Sequence, residues 1–331
     1  MKKFPNIQTA IKPIINIIRE KPIFAIYEVC LRCNSACQYC DLELNQKRYE
    51  MSRTQIKEVF SSLYEDGLRF LLVQGGEPLI RRDTPQILED LAEIGFNLSL
   101  VTNGTLLTPE LVERFSRLSM HISVSLDSLN RERYRIIRGK DQLPQVLKGI
   151  EALASFSGSK SIVCILSEIN QDDVIDVTKF AKERGFIPII GAYHSDIGKY
   201  GKVSDELAYQ KQSAIAIFNS VLKSNLIPQG YYRDYVKDNV KWLSNQSLEA
   251  CDAGRFSIVV DASGNVAPCL AHESAGNLLD LPLKDILRRF NHKEIKQCSD
   301  SSACNLLCAR VVGKNLRHPI LGLNMLGSTL S

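Results

Sequence analysis

Short apolar runs alternate with longer amphipathic stretches between residues 23 and 190. Six runs rich in apolar residues predict strands: Ile23–Cys30, Arg69–Gln74, Asn97–Val101, Met120–Leu126, Ser161–Leu166 and Phe186–Ile190. Five stretches between them repeat apolar residues every three or four positions and predict helices: Ser52–Asp66, Thr84–Ile94, Pro109–Leu118, Leu143–Ala154 and Asp172–Arg184. This alternation is typical of a parallel α/β sheet, either open or barrel-like.

Local signals mark where several of these helices begin and end. Ser52 and Thr108 precede helical stretches and are suitable N-caps, the latter followed by a proline. Gly67, Gly95 and Gly185 stand just before the next strand, where a left-handed residue commonly ends a helix. These signals support short, compact strand–helix units.

The remaining chain divides into regions of different character. Residues 1–22 include a short amphipathic stretch, Ile11–Arg19, which predicts a helix packed on the domain, with a membrane-surface helix as the alternative. We assign 23–200 to the sheet, 201–250 to a helical connection and 251–331 to a small cysteine-rich domain. In that last region, residues 261–265 predict a hairpin and 282–291 a helix.

Chemistry-bearing motifs follow the predicted strands. In parallel sheets, functional residues gather at the carboxyl ends of the strands. The motifs in chain order are Cys33, Cys37 and Cys40, then Gly75-Gly76-Glu77-Pro78, Thr102-Asn103-Gly104, Ser125-Leu126-Asp127, and finally Tyr193, His194 and Asp196. We therefore expect all of them at one edge of the sheet, as parts of a single site.

Composition narrows the class of protein. The 331 residues carry a net charge of +4 with both signs interspersed, so nothing indicates a nucleic-acid partner. No apolar stretch is long enough to cross a bilayer and no signal peptide is evident, so we expect a cytoplasmic protein. In that compartment the ten cysteines favour bound metal over disulfides.

The first cysteine set has the spacing C-x3-C-x2-C. Three thiolates on one tight loop can bind three irons of a cubane cluster, with a fourth ligand from Cys30 or from outside the chain. Zinc sites normally use C-x2-C pairs, so this spacing is a poor match to zinc. Cys30 lies inside the first strand, and we expect it to be buried as a small apolar side chain, as we expect for Cys164 in the fifth strand.

The motifs together resemble those of the radical S-adenosylmethionine (SAM) superfamily. Its pattern is C-x3-C-x2-C after a first strand with an aromatic residue before the last cysteine, here Tyr39. Gly-Gly-Glu-Pro, Thr-Asn-Gly and Ser-Leu-Asp after the next three strands complete it. The resemblance implies a partial (β/α)6 TIM-like barrel. It also implies that Cys33, Cys37 and Cys40 hold a catalytic [4Fe–4S] cluster.

The resemblance further implies a SAM site on the same edge. SAM would bind the cluster's free iron, with Gly75 and Gly76 allowing close backbone approach and Glu77 accepting from its ammonium group. Arg138, or else Arg135, would reach its carboxylate. The other expected cosubstrate contacts are Tyr39, Pro78, Asn103, Ser125 and Asp127.

The second cysteine set resembles the auxiliary-cluster domain of the SPASM and twitch subfamily. Its members are Cys251, Cys269, Cys298, Cys304 and Cys308. Ile295 stands where the full SPASM pattern has a further cysteine, so five thiols are too few for two auxiliary clusters. The resemblance thus implies one auxiliary [4Fe–4S] cluster, with Cys298 and Cys304 competing for its fourth position. A structural zinc ribbon is the alternative.

The expected activity is reductive cleavage of SAM to a 5′-deoxyadenosyl radical that abstracts hydrogen from a substrate carbon. The auxiliary cluster would relay an electron or anchor the substrate, a peptide or a small metabolite such as a sugar. His194 is the candidate acid or base, ahead of His272. Flavodoxin or ferredoxin would supply electrons. Redox-neutral chemistry on a lipid or sugar, with a structural metal in the tail, is the alternative, and a non-enzymatic scaffold is disfavoured.

Overall fold

A computed structural model describes residues 7–42, 48–194 and 204–318, with side chains from residue 11 onward. Its strands are β1 (Phe24–Cys30), β2 (Phe70–Gly75), β3 (Asn97–Thr102), β4 (His121–Ser125), β5 (Lys160–Leu166), β6 (Ile187–Ala192), β7 (Ser257–Val260), β8 (Asn265–Ala267) and β9 (Gly276–Asn277). Its helices are α1 (Ile7–Ile18), α2 (Arg53–Glu65), α3 (Thr84–Ile94), α4 (Pro109–Phe115), α5 (Arg131–Arg138), α6 (Leu143–Ala152), α7 (Val174–Glu183), α8 (Lys211–Lys223), α9 (Tyr231–Leu243), α10 (Leu283–Leu287), α11 (His292–Asp300) and α12 (Val311–Arg317).

The sheet has the order β6-β5-β4-β3-β2-β1-β7-β8-β9. Strands β1 to β6 are parallel neighbours in sequence order, which confirms the predicted α/β sheet. The predicted hairpin forms between β7 and β8. Strand β7 also pairs in parallel with β1, so the cysteine-rich region continues the sheet of the barrel instead of standing apart from it.

The helix-end signals act as predicted. Ser52 forms a reciprocal capping box with Gln55 at the start of α2, and Thr108 caps α4 through the backbone N–H of Leu111. Gly95 ends α3 with a φ of 115°, a conformation that costs glycine little. Helix α5 is absent from the sequence-based assignment, although it proves central to the site.

The two faces of the sheet differ in chemistry. One face packs its apolar side chains on the helices in the main hydrophobic core. Because strand side chains alternate, the intervening residues point the other way and form what we call the inner face. Its members include Phe24, Ile26, Glu28, Leu72, Gln74, Ser99, Val101, His121, Ser123, Ser125, Ser161, Val163, Ile165 and Ile189.

Helix α1 packs where the parallel strands begin. The side-chain amide of Asn16 donates to the carbonyls of Pro22 and Asp66, at 3.0 and 2.9 Å. These carbonyls lie just ahead of β1 and at the end of α2. None of the helices in the described residues is both long and apolar enough for a membrane span.

Candidate active site

The first cysteine loop leaves the carboxyl end of β1. Cys33, Cys37 and Cys40 are each partly buried, and all ten cysteines of the chain are free thiols. Burial, with a smaller contribution from neighbouring cysteines, raises the pKa of Cys33 to about 11 and of Cys40 to about 12. Three thiols on one loop suit a cubane cluster, whose cationic irons would bind them as thiolates.

Helix α5 holds this loop through its carboxyl end. The backbone N–H of Ala36 donates to the carbonyl of Arg138 at 3.1 Å, and that of Gln38 donates to Ile137 at 3.0 Å. Gly139 follows with a φ of 70°, and a Cβ there would lie 2.0 Å from the carbonyl oxygen of Ala36. The loop therefore packs directly on the backbone of the helix end.

A buried ion pair lies beside the same loop. Arg138 Nε is 2.7 Å from Asp127 Oδ2, and the hydroxyl of Tyr39 donates to that oxygen at 3.2 Å. The other carboxylate oxygen of Asp127 accepts from the backbone N–H of Ile165 at 2.9 Å. Asp127 thus joins the ends of β4 and β5 to the cysteine loop, a role that the sequence did not indicate.

The structure distinguishes the two candidate arginines. Arg138 Nη1 lies 3.9 Å from Cys37 Sγ and its side chain is only 7% exposed. Arg135 instead pairs with Glu132 on the exposed side of the same helix. Of the two, only Arg138 faces the cysteine loop.

Asn103 connects the loop after β3 to the cysteine loop. Its amide nitrogen donates to Asn34 Oδ1 at 2.7 Å and to Ser35 Oγ at 3.2 Å. Ser35 in turn donates to Gln142 at 2.9 Å, and Lys140 donates to the Asn34 carbonyl at 2.7 Å. The predicted cosubstrate contact Asn103 is therefore also part of the support that fixes the loop.

The two glycines after β2 meet the backbone of β1 and its loop. A Cβ on Gly75 would lie 2.0 Å from the carbonyl oxygen of Cys30, and one on Gly76 would lie 2.1 Å from that of Arg32. The N–H of Gly76 donates to the Cys30 carbonyl at 3.0 Å. Close approach of these chain segments is a sufficient reason for both glycines, whether or not SAM also approaches them.

Glu77 is fully buried, and its carboxylate is occupied by the protein. It accepts from Thr102 Oγ1 at 2.7 Å and from the backbone N–H groups of Asn103 and Leu79 at 2.7 and 3.1 Å. Burial raises the pKa of Glu77, and these three hydrogen bonds oppose that shift. Its carboxylate supports the third loop, and contact with the SAM ammonium stays a prediction. Pro78, the next residue, is also buried.

Ser125 ends β4 on the inner face and is partly exposed there. Deeper on that face, His121 contacts the hydroxyls of Ser159 and Ser161, each at 2.9 Å. Burial lowers the pKa of His121 to about 4, so it is neutral near pH 7. The inner face around His121 is therefore polar but uncharged near pH 7.

The structure gives His194 a bridging position. Its Nδ1–H donates to the carbonyl of Ala192 at 2.8 Å, and its Nε2 accepts from the N–H of Asn305 at 3.0 Å. The ring stacks on Trp242 with centroids 4.3 Å apart. Burial lowers the pKa of His194 to about 4. With both nitrogens bonded to backbone, the ring joins β6 to the second cysteine set and is poorly placed to move protons. Asp196 lies outside the described residues.

The second cysteine set is built from separated segments. Cys251 precedes β7 and Cys269 follows β8, Cys298 lies on α11, and Cys304 and Cys308 lie in the segment before α12. Burial, with smaller contributions from Cys251, Cys304 and Cys308, raises the pKa of Cys269 to about 12. Those three thiols are thus electrostatic neighbours of Cys269, whereas Cys298 interacts with Cys251 and Cys304.

Cys308 packs against the inner face. It packs against the apolar cluster formed by Ile26, Val259 and Ala267. Ile26 lies four residues before Cys30, where the first cysteine loop begins, which corresponds to roughly 13 Å of strand. The two cysteine sets therefore border one stretch of the inner face, with Glu28 and Gln74 side by side between them.

The remaining predicted residues are placed as follows. Cys30 and Cys164 are fully buried, as predicted, and the thiol of Cys30 lies 3.2 Å from the carbonyl oxygen of Glu77. His272 Nδ1 lies 3.2 Å from a carboxylate oxygen of Glu294 in the cysteine-rich region, and its side chain is largely buried. Among the described residues, no three His, Cys, Asp or Glu side chains converge as ligands of a single metal ion. A cubane cluster differs because each thiolate binds a different iron.

Comparisons with known proteins agree with this geometry. The radical SAM superfamily model matches residues 27–181, and the SPASM iron–sulfur cluster-binding domain matches 251–310. The chain is 31% identical to the GTP 3′,8-cyclase of Saccharophagus degradans, over 75% of this chain and 78% of that protein. It is 28% identical to the GTP 3′,8-cyclase of Aliarcobacter butzleri, over 74% and 79%. Streptococcus suis SuiB bound to the precursor peptide SuiA superposes with a TM-score of 0.68, at 15% identity, over 86% of this chain and 70% of that one.

Proposed function

Because the chain belongs to the radical SAM superfamily and carries a SPASM domain, we propose that it abstracts hydrogen from a carbon of a polar substrate without a polyphosphate group. Enzymes of this kind use SAM and a [4Fe–4S] cluster, and SPASM domains bind auxiliary iron–sulfur clusters. When bound, the reduced cluster supplies the electron that cleaves SAM to a hydrogen-abstracting radical. The rest of the proposal concerns what this chain's own residues do.

Cys33, Cys37 and Cys40 would hold the catalytic cluster. Their loop is fixed from two sides, by α5 and by Asn103, so the three thiols are positioned before a cluster binds. Arg138 adds a buried positive charge near Cys37, which would favour the thiolate form. Such fixed geometry is what a reaction between a radical and one substrate carbon requires.

Four thiols of the second set would hold the auxiliary cluster. Cys251, Cys269, Cys304 and Cys308 are the group around Cys269, so we assign the fourth position to Cys304 in preference to Cys298. Because Cys308 lies on the inner face, this cluster would face the same space as the catalytic one. When bound, that cluster would supply an acceptor for one electron from a substrate radical, which a net two-electron oxidation of the substrate requires after loss of a hydrogen atom.

The residue types on the inner face support a substrate without a polyphosphate group. Lys160 is the single basic residue in the six parallel strands, all of which lie within the described residues, and its ammonium group donates to the carbonyl of Leu153, 2.8 Å away. The polar inner positions are Ser, Gln, Glu and a neutral His. Hydroxyl, amide and carboxylate groups suit a sugar, another polyol or a peptide, whereas a triphosphate needs cations.

The relatives' names favour a second candidate, a GTP 3′,8-cyclase reaction. It would require the cations for the triphosphate to come from loops instead of the strands. The identity of about 30% supports the reaction class more strongly than it supports the substrate, since substrate contacts come from few positions.

The experiment that tests the proposal uses reconstituted protein under anaerobic conditions with SAM and dithionite. Neutral sugars, short peptides and GTP deuterated at C3′ are supplied separately, and 5′-deoxyadenosine and its deuterium content are measured. We expect GTP to leave the background rate of SAM cleavage unchanged and to transfer no deuterium. Deuterium transfer from GTP would reject the proposal in favour of the cyclase. For the cellular setting we propose the cytoplasm, with flavodoxin or ferredoxin as electron donor.

A further inference from the structure

Helix α1 exposes a cluster of large apolar side chains. The exposed fractions are 45% for Ile11, 57% for Ile14, 38% for Ile15 and 76% for Ile18. The described residues include nine exposed large hydrophobics, and four of them lie on this one helix. Single exposed apolar residues are normal, but a cluster of them on one helix marks a surface that binds a partner.

The helix is held to the protein by its polar side. Asn16 is 8% exposed, and its two hydrogen bonds to the carbonyls of Pro22 and Asp66 fix the helix in this orientation. Gly67 permits this contact, since a Cβ there would lie 2.5 Å from the amide nitrogen of Asn16. Turning the isoleucines inward would break both bonds, so the outward apolar face is a consequence of how the helix is anchored.

Basic residues accompany this apolar face. Lys12, Arg19 and Lys21 are exposed on or next to the helix, and Lys2 and Lys3 precede it in sequence. The acidic residue among them, Glu20, is paired with Arg255. An apolar face flanked by cations is the pattern of helices that lie in the interface of an anionic membrane.

We propose that α1 binds the surface of anionic lipid bilayers, lying along it with Ile11, Ile14, Ile15 and Ile18 inserted. Twelve residues of helix span about 18 Å, which is too short to cross the hydrocarbon core. The helix packs where the strands begin, whereas the cysteine loop lies where they end. Bound in this way, the protein would direct its active-site edge away from the lipid.

Vesicle flotation with the full-length reconstituted protein tests the proposal. Vesicles of phosphatidylcholine alone are compared with vesicles of phosphatidylcholine and phosphatidylglycerol. We expect binding to the mixed vesicles, weaker binding at high salt, and little binding to phosphatidylcholine alone. Each of Ile14→Asp and Ile18→Asp should weaken binding by about tenfold or more.

Leu279→Asp is the matched control. Leu279 is 41% exposed in the cysteine-rich region, so the same change of charge and polarity occurs away from α1. It should leave vesicle binding unchanged. All three positions are exposed, and unchanged iron content and circular dichroism would verify that the variants fold.

Three results would overturn the proposal. One is absence of binding to the anionic vesicles by a folded, monomeric protein. Another is a dimer in analytical ultracentrifugation that Ile18→Asp dissociates, which would assign the face to a second copy of the chain. The third is an equal loss of vesicle binding in Leu279→Asp, which would make the effect one of net charge alone.

Discussion

The two cysteine sets are built in opposite ways. The first occupies eight consecutive residues, Cys33 to Cys40, on one loop that the ends of α5 and β3 support. The second spans Cys251 to Cys308 and joins segments on both sides of a hairpin, a helix and a following turn. The first site is a local structure that the barrel holds in place. The second exists only when the tertiary fold brings its parts together.

This difference determines what sequence spacing can reveal. In the first set, spacing fixes which thiols share a cluster because the connecting chain is too short for other arrangements. In the second set, spacing gives only the number of thiols. Which four converge depends on β7 pairing with β1 and on α11 packing beside it.

The largest expected effect comes from the first set. Cys33→Ala, Cys37→Ala and Cys40→Ala should each reduce SAM cleavage to background, since a cubane with two thiolates and two irons without a thiolate is poorly held. Cys30→Ala should retain cleavage, because Cys30 is a fully buried strand residue. 5′-Deoxyadenosine formed under dithionite, measured by chromatography, is the readout.

The control is the iron content of the second cysteine set. The three variants should keep about four irons per chain in the second set, on cubane stoichiometry. Loss of all iron would show that the first loop is needed for folding of the whole protein. Loss of SAM cleavage in Cys30→Ala with iron retained would contradict the placement of Cys30 in the core.

The next largest effect separates Cys304 from Cys298. Cys304→Ala should lose the auxiliary cluster, lowering the iron content by about four per chain, whereas Cys298→Ala should retain it. The reason is that Cys304 is a neighbour of Cys269 and Cys308, and Cys298 is not. Iron and sulfide analysis with electron paramagnetic resonance distinguishes the outcomes. Equal loss in both variants would reject the assignment.

A third prediction concerns the support of the first loop. Asp127→Asn leaves Arg138 buried without its counter-charge, and breaking a buried pair in this way costs about 3–5 kcal/mol. Asp141→Asn is the matched control, because Asp141 pairs with Arg131 at the surface, where solvent screens the pair, so its loss should cost much less than the loss of Asp127. Anaerobic urea unfolding gives both values. Similar values for the two variants would show that the buried pair does not stabilise the loop.

The sequence predicted the parallel sheet well, since its strands and helices follow local patterns, and the loop of Cys33, Cys37 and Cys40 follows β1 where the sequence placed it. It did not predict α5, an eight-residue helix in which five residues are charged and which therefore lacks a clear apolar stripe. It also did not predict the β1–β7 pairing, since strands of four residues carry little periodicity and parallel pairing joins distant segments. His194 was assigned to catalysis because it follows a strand. Of its two backbone partners, Ala192 is two residues away, but Asn305, which occupies Nε2, is 111 residues away in sequence.

The smallest predicted effect tests the link that His194 makes between the barrel and the second set. Its pKa in the folded protein is lowered from 6.5 to about 4, so the unfolded chain binds the proton more readily. Stability should therefore be complete above pH 6.5 and fall towards pH 4, by up to about 1.4 kcal/mol per pH unit.

Protonation would place a second N–H against the N–H of Asn305 and break the link. His194→Gln removes the titrating group and should reduce the fall in unfolding free energy between pH 7 and 5.5, measured by anaerobic urea unfolding. His121 is also buried and neutral near pH 7. The variant should therefore still lose unfolding free energy between pH 7 and 5.5, but less than the wild type does. If the unfolding free energy falls as much in His194→Gln as in the wild type, protonation of His194 does not lower the stability of the protein. An inflection in the pH profile of substrate turnover that is present in the wild type and absent in His194→Gln would identify His194 as a proton-transfer residue.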